Sequence, residues 1–195
     1  MRSALLTVSA CVLAALAFGC QQETHHNHSS AKMLADNPAT PDAGHAIAII
    51  VGTKGNEGIT GAVRFTQTPE GVRALAEVAG LAPNSKHGFH IHEFGDLSDM
   101  EKGMSVGGHF DPAKSGHHGK PADDAKTRHG GDMGNLVANE NGKGYVEVML
   151  KDVTISGANS ILGRGIVVHE KEDDFGQPVG NAGGRIGIGV IGVAK

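Results

Sequence analysis

Twelve histidines stand in a chain of 195 residues that has no tryptophan. They fall in short stretches whose spacing suits metal chemistry. Gly88-Phe89-His90-Ile91-His92-Glu93-Phe94-Gly95-Asp96 sets two histidines two residues apart among apolar neighbours. On a β-strand, residues i and i+2 share a face, so His90 and His92 project side by side as half of a transition-metal site. Taken alone, the pair reads as two solvated surface histidines. Four later stretches reverse that reading: Gly107-Gly108-His109-Phe110-Asp111-Pro112, Gly116-His117-His118-Gly119-Lys120-Pro121, Arg128-His129-Gly130-Gly131-Asp132 and Val167-Val168-His169-Glu170. Zinc accepts imidazole nitrogen and carboxylate oxygen in a tetrahedral shell, whereas copper favours several imidazoles. The middle stretches offer His109, His118 or His117, His129 and Asp132, a closed set of three histidines and one aspartate suited to zinc. The outer stretches offer His90, His92 and His169, which with one shared histidine make a four-imidazole set suited to copper.

The elements that must carry these residues are strands. Residues 45–52 form an apolar run, 58–67 and 71–80 alternate apolar with polar, and 85–95 hold the first histidine pair. Residues 135–152 read as two strands about a turn at Asn141-Gly142, and 161–170 and 185–193 close the pattern. About eight strands with tight turns predict an all-β fold, an antiparallel sandwich or barrel. Two polar segments interrupt it, at 96–134 and 171–184. Long unpatterned connections inside a compact domain are usually functional.

Bulk composition bounds the rest. The net charge is −4, with no block of Lys or Arg, which argues against nucleic acid as a partner. The two cysteines, Cys11 and Cys20, lie in the first 20 residues. Arg2, the mostly apolar run from Ala4 to Phe18, and Gly19-Cys20 read as an export signal over residues 1–19. A small residue before Cys20 resembles a bacterial lipoprotein cleavage site, after which Cys20 carries lipid. Leu16 and Ala17 fit that pattern imperfectly, so an ordinary secretory signal and a retained membrane helix stand as alternatives. Removing residues 1–19 takes away Arg2 as the one charge lost and moves the net charge from −4 to −5. Residues 20–44 are then the anchor and a polar, flexible tether, whose His25, His26 and His28 read as linker residues. Residues 45–195 are the folded domain.

Across that domain the sequence resembles the copper–zinc superoxide dismutases in a bacterial, exported form. Gly88–Asp96, Gly107–Pro112, Arg128–Asn135, Ile161–Asp174 and Gly180–Gly192 look like the family's signature segments, in the family's order. The resemblance implies an eight-stranded Greek-key barrel or sandwich with two long functional loops. It implies one copper held by His90, His92, His109 and His169, and one zinc held by His109, His118, His129 and Asp132. His109 would then bridge the two metals. The pattern His-Gly-x-Pro favours His118 over His117 as the zinc ligand. Asp173 aligns with an aspartate that links a copper-side to a zinc-side histidine, and Arg185 with an arginine lining the path to copper. The implied reaction is dismutation of superoxide to dioxygen and hydrogen peroxide, with copper cycling between oxidation states and His109 carrying a proton. Arg185 would offset the protein's negative charge toward an anionic substrate. Lys120 and Lys171 read as surface lysines with a helping role as the alternative. A homodimer is an assembly the resemblance allows, and a lipid on Cys20 would hold the chain to a membrane in the bacterial cell envelope.

Two departures stand out. The family's disulfide between the first long loop and the last strand is missing, and the corresponding residues read Gly103-Met104-Ser105 and Gly187-Ile188-Gly189. That leaves the order of the loop and the placement of Arg185 without their usual support. The second loop, 170–184, is short and ends Gln177-Pro178-Val179-Gly180-Asn181-Ala182-Gly183. A different class of function on the same fold, a non-catalytic metal-binding lipoprotein, would be expected to carry extra cysteines or a metal-binding module, and neither follows Cys20.

Overall fold

The computed structural model describes residues 44–195. The export signal, Cys20 and the tether histidines His25, His26 and His28 lie outside the described residues.

Strict alternation builds the first three strands. In β1 (His45–Gly52), Ala46, Ala48 and Ile50 are buried while Ile49 and Val51 face outward. β2 (Thr60–Thr68) buries Val63 and Phe65, and β3 (Gly71–Ala79) buries Val72, Ala74, Ala76 and Val78. β4 (Lys86–His92), β5 (Asp132–Ala138), β6 (Gly144–Leu150), β7 (Gly165–His169) and β8 (Arg185–Val193) complete the set. Neighbours pair antiparallel in the spatial order β1-β2-β3-β6-β5-β4-β7-β8, which closes into a barrel. The β3–β4 and β6–β7 connections cross the end of the barrel, giving the Greek key, and closure leaves no free sheet edge. Each large side chain buried in the barrel, such as Phe65, Ile50 or Ile91, contributes about 1.5–3 kcal/mol.

Two central strands break the alternation, and that break positions the site. Residues His87 to His92 of β4 are all buried, as are all five residues of β7. One face of each supplies the barrel core, through Phe89, Ile91, Ile166 and Val168. The other face carries His90, His92, Val167 and His169, and is covered by the two long loops instead of water. His90 pairs with Val167 across the strands, which aligns the histidine faces. The register shifts between Gly88 and His90 against β5, and between Val168 and His169 against β8, where His169 comes to face Arg185. Such irregularities re-aim side chains.

The strand ends differ modestly from the sequence pattern. β4 stops at His92 because the following backbone turns to the first loop: Glu93 N–H donates to Gly108 O and Phe94 N–H to Val106 O, both at 2.9 Å. β7 starts at Gly165, four residues later than the apolar run suggested. Ile161 is nonetheless fully buried, serving the core from a turn.

Candidate metal centre

The first loop, residues 93–131, lies back along β4. His109 bridges to His92, and Phe110 N–H donates to Ile91 O at 2.9 Å. This pairing carries His109 to the histidine face of β4, with its ring centroid 4.2 Å from that of His90 and 5.0 Å from that of His92. Two four-residue sets result. His90, His92, His109 and His169 each present a nitrogen within 4.8 Å of the others, as do the ligand atoms of His109, His118, His129 and Asp132. All seven residues are buried, and His109 belongs to both sets. His118 is 2 % exposed and inside the second set, while His117 is exposed and outside it.

The hydrogen bonds assign each ring nitrogen a direction. His92 Nδ1 donates to Gly107 O at 3.0 Å and His169 Nδ1 donates to Gly183 O at 3.3 Å. His90 Nε2 donates to Asp173 Oδ2 at 2.8 Å. The opposite nitrogens, His92 Nε2, His169 Nε2 and His90 Nδ1, are buried with no hydrogen-bond partner. Leaving a buried polar group unpaired costs about 1–3 kcal/mol. Three of them weigh heavily against a total stability of about 5–15 kcal/mol, so their convergence fits a ligand that accepts lone pairs. In the second set the Nδ1 atoms of His109, His118 and His129 gather around Asp132 Oδ1 at 2.9, 3.0 and 3.2 Å. One oxygen among three ring nitrogens is the donor set of a tetrahedral cation. His109, with Nδ1 on this side, leaves Nε2 for the other set.

Protonation follows from burial and charge. Burial pushes His109 down to about 4 against its bond to Asp132, and pushes His169 down to about 3 with His90 adding to the effect. His90 and His92 are lowered as well, in each case chiefly by burial. These four rings are neutral near pH 7 in the metal-free chain; His90, His92 and His169 need shed no proton to bind a metal, whereas His109 must lose its remaining N–H to serve both sets. His118 behaves oppositely. Burial pulls it down, but the hydrogen bonds and charges of Asp132 and Asp173 outweigh that and raise it to about 9. Burial opposes ionisation of both carboxyls, yet the histidines bonded to Asp132 and to Asp173 hold each well below the usual range. Asp173 joins the two sets directly, since His118 Nε2 reaches its carboxylate at 2.9 and 3.0 Å and His90 reaches it at 2.8 Å.

Arg185 sits at the mouth. Its Nη1 donates to Gly103 O at 2.6 Å and its Nη2 to Gly107 O at 2.7 Å. Gly107 O is also the acceptor for His92, so one carbonyl links the arginine to a histidine of the first set. A cleft of about 550 Å³ opens here, lined by His109, His169, Arg185, Lys54 and Lys102 among others. Of the two lysines the sequence suggested, Lys120 lies over the Phe175 ring at 5.4 Å and Lys171 does not line this cleft. Lys54 and Lys102 line it instead. Neither carried a motif in the sequence: Lys102 comes from the first loop and Lys54 from the turn between β1 and β2.

The loop holds its shape without the disulfide. A Cβ built on Gly103 would meet Ile188 Cγ2 at 3.0 Å, so Gly103 packs directly on β8 where a cross-link would stand. Gly103 has φ 67°, a conformation that glycine adopts without strain. Val106 joins Val167, Ile188 and Leu97 in a small second core. The Asp99 carboxylate accepts the backbone N–H groups of Glu101, Lys102 and Met104 at 3.1, 3.0 and 2.9 Å. These contacts and the Arg185 fork order the segment.

The family model described as copper/zinc superoxide dismutase (SODC) matches residues 59–191. The chain belongs to that family. A superoxide dismutase [Cu-Zn] of Paramecium bursaria Chlorella virus 1 is 41 % identical over 157 residues, covering 77 % of this chain and 79 % of the relative. Superoxide dismutase [Cu-Zn] 5 of Dictyostelium discoideum is 40 % identical over 159 residues, covering 77 % and 98 %. Among solved structures, the crystal structure of the clock protein EA4 is 39 % identical with a TM-score of 0.69, covering 78 % of this chain and 96 % of that one. The eight-stranded barrel is thus the family's fold.

Three supporting residues of this centre carry no histidine signal. Arg128, 1 % exposed, donates to His129 O at 2.9 Å and Asp123 O at 3.1 Å and pairs with Asp152. Asn135 exchanges two hydrogen bonds with the backbone of Asp173, at 2.8 and 3.0 Å. Gln177 does the same for His118. Arg128 stands inside a quoted motif, and its neighbour His129 was the signal that could have found it.

Proposed function

We propose that this protein dismutes superoxide to dioxygen and hydrogen peroxide, with His90, His92, His109 and His169 holding copper and His109, His118, His129 and Asp132 holding zinc. Copper and zinc are the metals of its family, and the donor sets fit them: four neutral imidazoles for one, three imidazoles and a carboxylate for the other. The observation that carries the reading is the convergence of three unpartnered buried nitrogens, on His90, His92 and His169, upon a histidine shared with the second set. Copper when bound supplies one-electron redox chemistry, and zinc supplies fixed charge without any.

The protein's own residues do the rest. Gly107 O and Gly183 O hold the Nδ1–H groups of His92 and His169, so their Nε2 atoms carry the lone pairs. Asp173 does this for His90 through Nε2. Arg185, fixed by its two carbonyls, holds a small anion in the cleft and raises its local concentration. His109 lines that cleft, and its Nε2, when not engaged by copper, would take up one proton from solvent and pass it to the second superoxide, the other proton coming from solvent. Two superoxide anions and two protons yield one dioxygen and one hydrogen peroxide, which balances without a further reductant.

Location and assembly complete the proposal. Arg2, the apolar run to Phe18 and Gly19-Cys20 support export with lipid on Cys20, and the polar tether supports a domain held off a membrane in the cell envelope. Substitution of Cys20 by Ser tests this: the variant should lose a mass of lipid and leave the membrane fraction. A homodimer is supported by the exposed apolar side chains Ile49 and Val51 on the outer face of β1. Sedimentation of the full chain at micromolar concentration decides it, a dimer mass supporting the assembly and a monomer mass refuting it. The ligand assignment is tested by metal content: His92→Ala should lose copper and keep zinc, His129→Ala should do the reverse. Both variants retaining both metals would overturn the assignment.

A further inference from the structure

The motif beginning at Gln177 is left unused by the ligand set, yet its first residue makes the most specific contact between the two long loops. Gln177 Oε1 accepts the backbone N–H of His118 at 3.0 Å, and Gln177 Nε2 donates to the backbone carbonyl of His118 at 2.7 Å. A single carboxamide thereby satisfies both peptide groups of one residue, as a neighbouring strand would. Those groups need partners once buried, and His118 has no backbone partner among the described residues. The same loop also holds the His118 ring. Asp173 bonds its Nε2, and the Phe175 ring stacks on it at 6.5 Å between centroids and 16° between planes.

We infer that Gln177 is a positioning residue for the zinc set. By fixing the main chain of His118 it holds the ring in place between Asp132 and Asp173. The inference rests on His118 being a zinc ligand. The side-chain chemistry demanded is narrow. Glutamate accepts from the N–H but cannot donate to the carbonyl, methionine matches the length and does neither, and asparagine is one methylene short.

The test uses the full chain loaded with copper and zinc, as wild type, Gln177→Met, Gln177→Glu and His118→Ala. Zinc affinity is read by chelator competition, and the zinc geometry by the visible absorption of cobalt placed in that site. Removing a residue that orients a metal ligand typically costs about 10–100-fold in metal affinity. Gln177→Met should show a loss of that size for zinc, weakened cobalt bands and copper affinity within about twofold of wild type. Gln177→Glu should fall between the two, since one of the two bonds survives. Unchanged zinc affinity and cobalt spectrum in Gln177→Met, with zinc lost in His118→Ala, would overturn the inference alone. Equal weakening of both metals would also overturn it, as general loosening. Zinc retained by His118→Ala would overturn the ligand assignment and the inference together.

Discussion

Replacing Arg185 separates two jobs that one guanidinium performs. Its two bonds, to Gly103 O and Gly107 O, brace the first loop, and its charge faces the cleft. A hydrogen bond from a charged donor contributes about 1.5–3 kcal/mol, and at this half-buried position the lower figure applies, giving about 3 kcal/mol for the pair. Arg185→Met loses both bonds and the charge. Arg185→Lys keeps the charge but offers a point donor in place of a fork, so it retains about half the bracing. In a domain of this size 1 kcal/mol moves the melting temperature by about 2–4 °C. Unfolding of the apo chain should therefore shift down by about 6–12 °C in Arg185→Met and about 3–6 °C in Arg185→Lys. The rates divide differently. Glu101 and Glu170 also line the cleft and Lys54 pairs with Glu101, so Arg185 is the cation that tips the local field toward an anion, an effect worth about tenfold in capture. Direct superoxide decay at low salt should fall at least about tenfold in Arg185→Met and much less in Arg185→Lys. Between ionic strengths of about 0.01 and 0.15 M the screening length shrinks from about 30 to about 8 Å. The wild-type rate should fall across that range, Arg185→Lys should follow it, and Arg185→Met should fall less steeply, with Lys102 left in the cleft. A methionine variant with the wild-type rate and the wild-type salt slope would refute the reasoning.

Zinc and copper uptake should depend on pH in different ways. His118 is held protonated up to about 9 by Asp132 and Asp173, so zinc must displace its proton, and apparent zinc affinity should rise roughly tenfold per pH unit between about pH 6 and 8. His90, His92 and His169 are lowered, so copper affinity of the zinc-free chain should stay nearly level there; competition titrations in a pH series that show zinc affinity level would count against this charge assignment. In the apo chain, the raised folded pKa of His118 stabilises the fold below its ordinary value near 6.5, and this stability should be lost as pH rises through about 9, as thermal melts will show. Gly180, at φ 76°, leaves no room for a side chain against the Asp173 carboxylate and His118 Nε2. Gly180→Ala should cost about 1–3 kcal/mol from backbone strain alone, weaken zinc binding and leave the barrel's circular dichroism unchanged; a neutral result in denaturant titration would contradict the packing. Asp152→Ala strands the buried Arg128 guanidinium and should destabilise the chain by about 3 kcal/mol, measured the same way.

Much of this was legible before any coordinates. The alternation in β1 to β3 is the period of a half-buried strand, and the histidine spacing on β4 needs nothing beyond that period to place His90 and His92 together. The two-residue choice between His117 and His118 lay beyond periodicity, since both sit in a loop; the structure separates them by burial. Gln177 and Asn135 were invisible for a related reason. Each acts through one carboxamide on a backbone many residues away, and neither Gln177 in its loop nor Asn135 on β5 marks that distant partner in its neighbours. Lys102 reaches the cleft through the path of the first loop and Lys54 from the turn between β1 and β2, and no local signal encodes their meeting. Gly103 was visible only as a missing cysteine, and its packing on Ile188 shows what replaces the cross-link.

The most direct measurement is superoxide decay, followed by absorbance, on the full chain loaded with copper and zinc and freed of loose metal, beside His169→Ala with metal content counted in both. If the shared-histidine centre is the catalyst, the wild type should approach the diffusional regime of about 10⁸–10⁹ M⁻¹s⁻¹, and His169→Ala should lose that rate while its zinc content stays intact. Full occupancy of both sites with decay no faster than buffer would contradict it and mark the protein as one that stores or hands on metal.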